Sequence, residues 1–265
     1  MTRRSSSVTI YDVAREAGVS AATVSRYINR SVPVSPEVAS RLDQVMADLG
    51  YVPLAAARHL ASRKTRVVGL LLNNLQNDFF VPLLNGVEAV VRQKGYNLII
   101  ATYHASSRDQ IQPPLGPHNT DGLLVFSDGL VDDDLVRLHS KGFPMVLVHR
   151  TPPPGVPIPG VTVENLEITK SVVNHLIRVH GKKRILFLRG PREQEDSRLR
   201  EAAYRSALQA NGIDVDENLL LNGEFERDIA HTVMNDFLDR EKRVAFDAVF
   251  TGDDDAAIGV LKSLH

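Results

Sequence analysis

Five residues between positions 21 and 29 have the types and spacing to act as one reading face. Ala21, Ala22, Ser25, Arg26 and Asn29 fall on one side of a helix, away from Val24 and Ile28, which are spaced i, i+4 for burial. A guanidinium donates two hydrogen bonds at once to O6 and N7 of guanine, whereas alanine offers only close approach or an apolar contact with a thymine methyl. The chemistry is base reading, led by Arg26. The hydroxyls of Thr9, Ser20, Ser25 and Ser35, with the amides of nearby helix starts, suit phosphate contacts that fix register without reading sequence. Without that chemistry, the same residues describe a three-helix protein-interaction module with ordinary caps.

Such a face needs a scaffold, and the flanking residues specify one. Thr9 is placed to cap the turn Ile10-Tyr11-Asp12, with Asp12 reaching back as the partner of a capping box, and the helix runs to Ala17 before Gly18 stops it. Ser20 caps a second helix. Two helices joined by a tight glycine turn form the helix-turn-helix pattern. A third helix opens on Ser35 and Pro36, gathers Val38, Leu42, Val45, Met46 and Leu49 on one face, and ends at Gly50. From Tyr51 to Arg66 the chain is basic and alanine-rich, with high helix propensity and little to pack against, which marks a linker.

Charge divides along the same line. The 265 residues carry a net charge of -1, but residues 1–66 hold ten Lys/Arg against five Asp/Glu, a net of +5 that leaves -6 for the remainder. A basic, arginine-led head on an acidic body suits a head that meets a polyanion while the body stays in solution. The absence of cysteine excludes disulfides, thiolate metal sites and cysteine nucleophiles, and fits a reducing compartment. No apolar run approaches the roughly 20 residues of a membrane helix. The stretch MTRRSSSVT has a basic start with no apolar segment behind it, so a cytoplasmic protein without membrane contact is expected.

From Val67 onward, short β-branched and leucine-rich runs alternate with amphipathic stretches, the pattern of parallel βαβ units. Strands are expected at Val67–Leu72, Asn97–Ala101, Gly122–Phe126, Met145–His149, Arg184–Arg189 and Ala248–Thr251. Helices are expected at Val81–Lys94, Asp133–Lys141, Ile168–His180, Arg198–Asn211, Asp228–Arg240 and Ala256–Leu264. Gln112–Thr120 carries three prolines and a glycine, so the second crossover is expected to be irregular. The breaker-rich Thr151–Gly160 reads as a crossing between two α/β lobes.

The strings VTIYDVAREAGVSAATVSRYIN and VSPEVASRLDQVMADLGYVPLAAARHLASRKTRVVGLLL resemble the DNA-binding head and hinge of the LacI/GalR family of bacterial transcription regulators. The resemblance implies a homodimer or higher oligomer on double-stranded, pseudo-palindromic operator DNA, acting as a nucleoid-associated repressor. The second helix of each head would enter the major groove and a hinge helix the minor groove. On that basis Ala21 and Ala22 fall at variable base-reading positions and Arg26 at the base-contacting arginine. Ile10, Tyr11, Thr23 and Tyr51 complete the DNA-facing set, with Ala57, Arg58 and Leu60 in the hinge. Leu60 is an apolar side chain in a basic linker: a pair from two protomers can wedge into a base step and widen the minor groove, or the side chain merely packs the linker on the body. The family commonly has asparagine where this chain has Leu54, which removes a polar hinge contact.

For the body, the resemblance is to periplasmic sugar-binding proteins, whose two lobes close on a small ligand at the carboxyl ends of the strands. It places Asn77, Phe79, His149, Arg200, Phe225 and Asp253 in an effector pocket for a sugar or related metabolite. Taken alone, Phe79 reads equally as core, His149 as a satisfied strand-end histidine, and Arg200 as a partner of Asp196 or Glu201 on its own helix. The turn Asn77-Asp78-Phe79-Phe80 and Asp253 both depart from the family pattern, which points to an effector that is atypical, more cationic or absent. The fold expected is an all-α helix-turn-helix head on an α/β periplasmic-binding-protein-like body of two parallel-sheet lobes. Its segments are residues 1–50 as the head, 51–66 as hinge, 67–160 as the first lobe and 161–265 as the second. Family members continue past the position of His265, so the second lobe is expected to be incomplete.

An enzyme is not expected. The chain has no glycine-rich phosphate loop, no HExxH and no GxSxG, and its nine histidines show no ligand spacing with acids. Asp253-Asp254-Asp255 opens a helix, where a cap is the simpler reading than a metal site. Neither cofactor nor metal is expected. The alternative reading, from a different class, is a solute- or sugar-binding sensor whose N-terminal helices only bind another protein.

Overall fold

The computed structural model describes residues 8–29, 32–51, 64–73, 75, 79–103 and 113–265. Two compact units emerge, Met1–Thr65 and Arg66–His265.

The first unit holds α1 (Ile10–Glu16), α2 (Ala21–Asn29) and α3 (Pro36–Asp48). Local chemistry sets each start. The Thr9 side chain accepts from the Asp12 amide and Asp12 reaches back to the Thr9 amide, so the capping box is complete. The Ser20 Oγ accepts from the Thr23 amide at 3.1 Å, and Ser35 caps α3 ahead of Pro36. Gly18 adopts φ +64, a left-handed turn that a side chain disfavours. Val13, Ala14, Ala17, Val24, Leu42 and Val45 form the small core these helices share. The expected linker lies largely outside the described residues, since 52–63 fall among those left undescribed.

The second unit contains two parallel sheets. The first joins β1 (Val67–Leu72), β2 (Asn97–Thr102), β3 (Gly122–Phe126), β4 (Met145–Val148) and β5 (Gly160–Val161) in the order β2-β1-β3-β4-β5. Helices α4 (Phe80–Gln93) and α5 (Asp132–Ser140) follow β1 and β3. Leu70, Leu72, Phe80 and Phe126 form one core cluster of this lobe, and Leu71, Leu123, Val125, Leu135 and Leu147 belong to another. The described part of the proline-rich second crossover, residues 113–120, makes turns without helix and buries Leu115.

The second sheet joins β6 (Ile185–Arg189), β7 (Leu220–Asn222) and β8 (Ala248–Thr251) in the order β7-β6-β8. Around it lie α6 (Leu166–Arg178), α7 (Glu195–Ala210), α8 (Arg227–Leu238) and α9 (Asp254–Leu264). The all-buried run of β6 is what a central parallel strand covered on both faces requires. Two structural details differ from the sequence pattern. Thr151–Gly160 does not lead straight across to the second lobe, because Gly160 and Val161 pair with Leu147 and Val148 as a fifth strand of the first sheet. The three-residue β7, directly after a 3-10 turn at Glu217–Leu219, also adds a pairing that sequence periodicity does not mark.

Candidate functional site

In the head, α2 presents two faces. Val24 is fully buried and Ile28 packs beside it. Ala22 and Arg26 are exposed, while Thr23, Ser25 and Asn29 are half-buried. Asn29 donates to the Ser25 Oγ at 3.3 Å, which fixes the two polar groups flanking Arg26. Ala21 differs from the sequence reading in part, since it packs against the head core and only its edge is open. Thr9, Ser20 and Ser35 serve as caps. Tyr11 is 72% exposed, whereas Ile10 and Tyr51 lie against the core. The hinge residues Ala57, Arg58 and Leu60 lie outside the described residues, as does Asn77.

In the body, the remaining five expected pocket residues form two groups at the carboxyl ends of the strands. One group is aromatic. Phe79, 45% exposed, meets the rings of Phe126 and His149 at centroid distances of 5.9 and 5.4 Å, while Phe80 turns inward to the core. His149 follows β4 in the left-handed region, φ 57, which aims its ring off the strand. The other group is polar. Arg200 on α7 donates through Nε to the Asn165 Oδ1 at 2.7 Å and through a terminal nitrogen to the Gly252 carbonyl at 2.5 Å. Its guanidinium lies 5.5 Å from the centre of the Phe225 ring, within cation–π range.

A residue outside the expected set connects the two groups. Asp196, on the first turn of α7, accepts from His149 Nδ1 at 2.7 Å with one oxygen and from Asn165 Nδ2 at 2.7 Å with the other. Neither Asn165, Asp196 nor Phe126 stands out by spacing. The one sequence signal for Asn165 is a polar residue heading an amphipathic helix, where it is buried at 4% exposure. Arg200 does approach Asp196, as one of its plain readings held, but at 4.0 Å, behind its closer bonds to Asn165 and Gly252.

Asp253 caps α9, accepting from the Ala256 amide at 2.9 Å. Burial, aided by the charges of Asp254 and Asp255, pushes its carboxyl up to about 6 against the opposing Ala256 amide and Arg200. Because the folded chain then holds this proton more tightly than the unfolded one, the associated stability is complete below 3.8 and is lost as pH rises through about 6. Asp253→Asn keeps a capping oxygen without the buried charge. It is expected to raise Tm by a few degrees at pH 7.5, about 1–2 kcal/mol after allowing for partial solvent screening. The gain should shrink toward pH 4. Calorimetry across that range checks it, and a gain independent of pH would mean that the Asp253 charge is not what is costly.

A separate cavity of about 520 Å³ lies beside these groups, lined among others by Ser127, Asp128, Asp132, Arg150, Glu193 and Arg198. None of the expected pocket residues lines it. Its arginines are already committed: Arg150 to the Leu130 carbonyl and Asp132, Arg198 to the Glu193 carbonyl. Among the described residues there is no group of three or more potential metal ligands, and no helix is long and apolar enough to cross a membrane.

The comparisons with known proteins follow the same division. Residues 9–53 match the model of bacterial regulatory proteins of the lacI family, and residues 65–265 match that of periplasmic binding proteins and the sugar-binding domain of the LacI family. Catabolite control protein A of Priestia megaterium is 31% identical over 258 residues, covering 96% of this chain and 76% of that protein. The HTH-type transcriptional regulator CelR of Thermobifida fusca is 32% identical, covering 97% of this chain and 77% of its own length. Among solved structures, a CelR–cellobiose complex superposes with a TM-score of 0.60 at 30% identity, covering 97% of this chain and 77% of that one. The lac repressor dimer bound to operator and an anti-inducer gives 0.73 over 98% of this chain and 78% of that chain; at 23% identity this likeness speaks for the fold. The named relatives are transcription regulators rather than enzymes.

Proposed function

The chain belongs to the LacI family of bacterial regulatory proteins, and from that premise we propose how its own residues carry out DNA-binding regulation under a small-molecule effector. Arg26 reads bases in the major groove, with Ala22 and the open edge of Ala21 allowing close approach. Thr9, Ser20, Ser25, Ser35 and the helix starts they cap hold phosphates, with Ile10, Tyr11, Thr23, Asn29 and Tyr51 bordering the same surface. The observation that carries this reading is the split of α2 into a buried Val24 face and an exposed Arg26 face directly behind a capped helix-turn-helix. The hinge residues Ala57, Arg58 and Leu60 complete the interface, Leu60 as a minor-groove wedge.

The effector is a sugar or related polar metabolite, as the cellobiose complex of a relative suggests, held by Phe79, His149, Arg200, Phe225 and Asp253 with Asn77. Aromatic faces beside a few convergent polar groups suit a polyol ring. The chain works as a homodimer, and Val81, Val90, Ile99 and Ile100, exposed on α4 and β2, supply apolar surface for the contact. It performs no catalysis and acts in the cytoplasm on the nucleoid.

The test is a salt titration of duplex binding, using operators selected from a random pool. Affinity should fall steeply with salt, by about 10³-fold or more between 50 and 200 mM for a protein making several phosphate contacts. Leu60→Ala should weaken binding to the selected duplex more than to random DNA, and equal losses reject the wedge. Salt-insensitive or undetectable binding would overturn the operator reading in favour of a ligand sensor with a protein-binding head.

A further inference from the structure

The polar groups that face the cleft are bonded to each other across it. His149 and Thr151 follow β4 of the first lobe, and Glu195 and Asp196 form the first turn of α7 in the second. His149 Nδ1 meets Asp196 Oδ2 at 2.7 Å, with the two side chains only 17% and 14% exposed. One residue pair away, Glu195 Oε2 accepts from both the Thr151 amide at 2.7 Å and the Thr151 hydroxyl at 3.1 Å. Behind them, Asn165 donates to Asp196 and accepts from Arg200, which in turn holds the Gly252 carbonyl. Two consecutive carboxylates of one helix therefore grip two nearly consecutive residues of the opposite lobe, and the gripping helix is braced from its own side.

We propose that Asp196, with His149 as its partner, is a built-in clasp between the lobes that competes with the effector for the same donors. It rests on the reading of this cleft as the effector site. A ligand that takes the Nδ1 of His149 has to replace the carboxylate already bonded there, so the clasp sets both how far the lobes close by themselves and which ligands can open it. Hydrogen bonds to charged groups in a partly buried setting are strong enough to shift a two-state opening equilibrium by a factor of about ten or more. A neutral polyol must offer several hydroxyls at once to displace one such pair, which favours ligands with dense, convergent hydroxyl groups over singly polar ones.

The experiment needs no ligand, so its outcome is independent of whether any sugar binds. The chain has no cysteine, so Lys141→Cys at the end of α5 and Gln209→Cys on α7, both exposed, give two unique labelling positions, one on each lobe. Single-molecule energy transfer between them reports lobe separation in the full chain. The expected result is a predominantly short distance in the parent and a rise of about tenfold in the open-to-closed ratio for Asp196→Asn and for His149→Ala. The double variant should open no further than either single one, because both remove the same contact. Glu241→Gln, which removes an exposed charge away from the clasp, should leave the distribution alone. Asp196→Asn keeps the size and packing of the side chain, so its circular dichroism and melting identify a folded protein even if His149→Ala fails to fold. An unchanged distance distribution in folded Asp196→Asn, or additive opening in the double variant, overturns the clasp.

Discussion

Arg26→Ala is expected to erase most of the discrimination between operator and random DNA, while leaving the fold of the head intact. The reason lies in the distribution of work on α2. Val24 and Ile28 hold the helix to the head core, Ala21 is half in that core, and Ala22 can contribute only apolar contact. Arg26 is the exposed side chain of α2 able to make two directed hydrogen bonds to one base. A bidentate arginine–guanine contact is worth about 1–3 kcal/mol of discrimination, so each half-site should lose roughly 10- to 100-fold in specific affinity. Binding to random duplex should fall far less, and the salt slope should stay nearly constant, because a base contact releases few counterions whereas a lost phosphate contact lowers the slope by about one. Arg15→Ala is the matched control: that guanidinium is 76% exposed but engaged with Asp12 on α1 at 2.7 Å, so its removal should change neither ratio. Equal losses on operator and random DNA would move Arg26 from base reading to backbone contact.

The legibility of this surface from sequence has a physical basis. Helix starts are decided by neighbours three residues apart, so Thr9 with Asp12, Ser20 with Thr23 and Ser35 with Val38 announce α1, α2 and α3 locally. Three strands announce themselves in the same way, since β1, β3 and β8 coincide with their apolar runs. What stayed hidden is decided by distant partners. β5 is two residues emerging from a proline-rich stretch and exists because Leu147 and Val148 are there to pair with it. β7 likewise depends on Phe187, Leu188 and Arg189. In the cleft, the family resemblance rather than residue type places Arg200, Phe225 and His149. Their partners Asn165 and Asp196 lie 35 and 47 residues from the side chains they bind, and no local rule joins them. Ala21 shows the limit within a single helix, because periodicity places a residue on a face but not the depth of the neighbour it touches.

Gly190→Ala is expected to dislodge Phe225 and lower stability by about 1–3 kcal/mol, the range of an overpacked core, despite adding only one methyl group. Glu224 and Phe225 are consecutive non-glycine residues in the left-handed region, φ 54 and 57, a conformation that costs about 1 kcal/mol or more at each. The ring's position offsets that cost. It lies where a Cβ on Gly190 would overlap three of its carbon atoms, and where one on Gly252 would come within 2.5 Å of its Cε1. Two glycines therefore form a slot, with the Arg200 guanidinium 5.5 Å from the ring centre. A methyl at position 190 removes the slot while the backbone that carries the ring stays strained, so ring and guanidinium must part. The decisive measurement is a double-mutant cycle in thermal melting. Phe225→Ala alone should destabilise, but on that background Gly190→Ala should cost little, giving a coupling of about 1 kcal/mol or more. The same variants, screened by thermal shift against a panel of sugars, should lose any ligand-induced rise seen in the parent, because Phe225, proposed as a pocket residue, is separated from Arg200. If the two substitutions are additive, the ring is not seated on Gly190. A preserved sugar response in Gly190→Ala would remove Phe225 from the effector pocket even if the slot itself is confirmed.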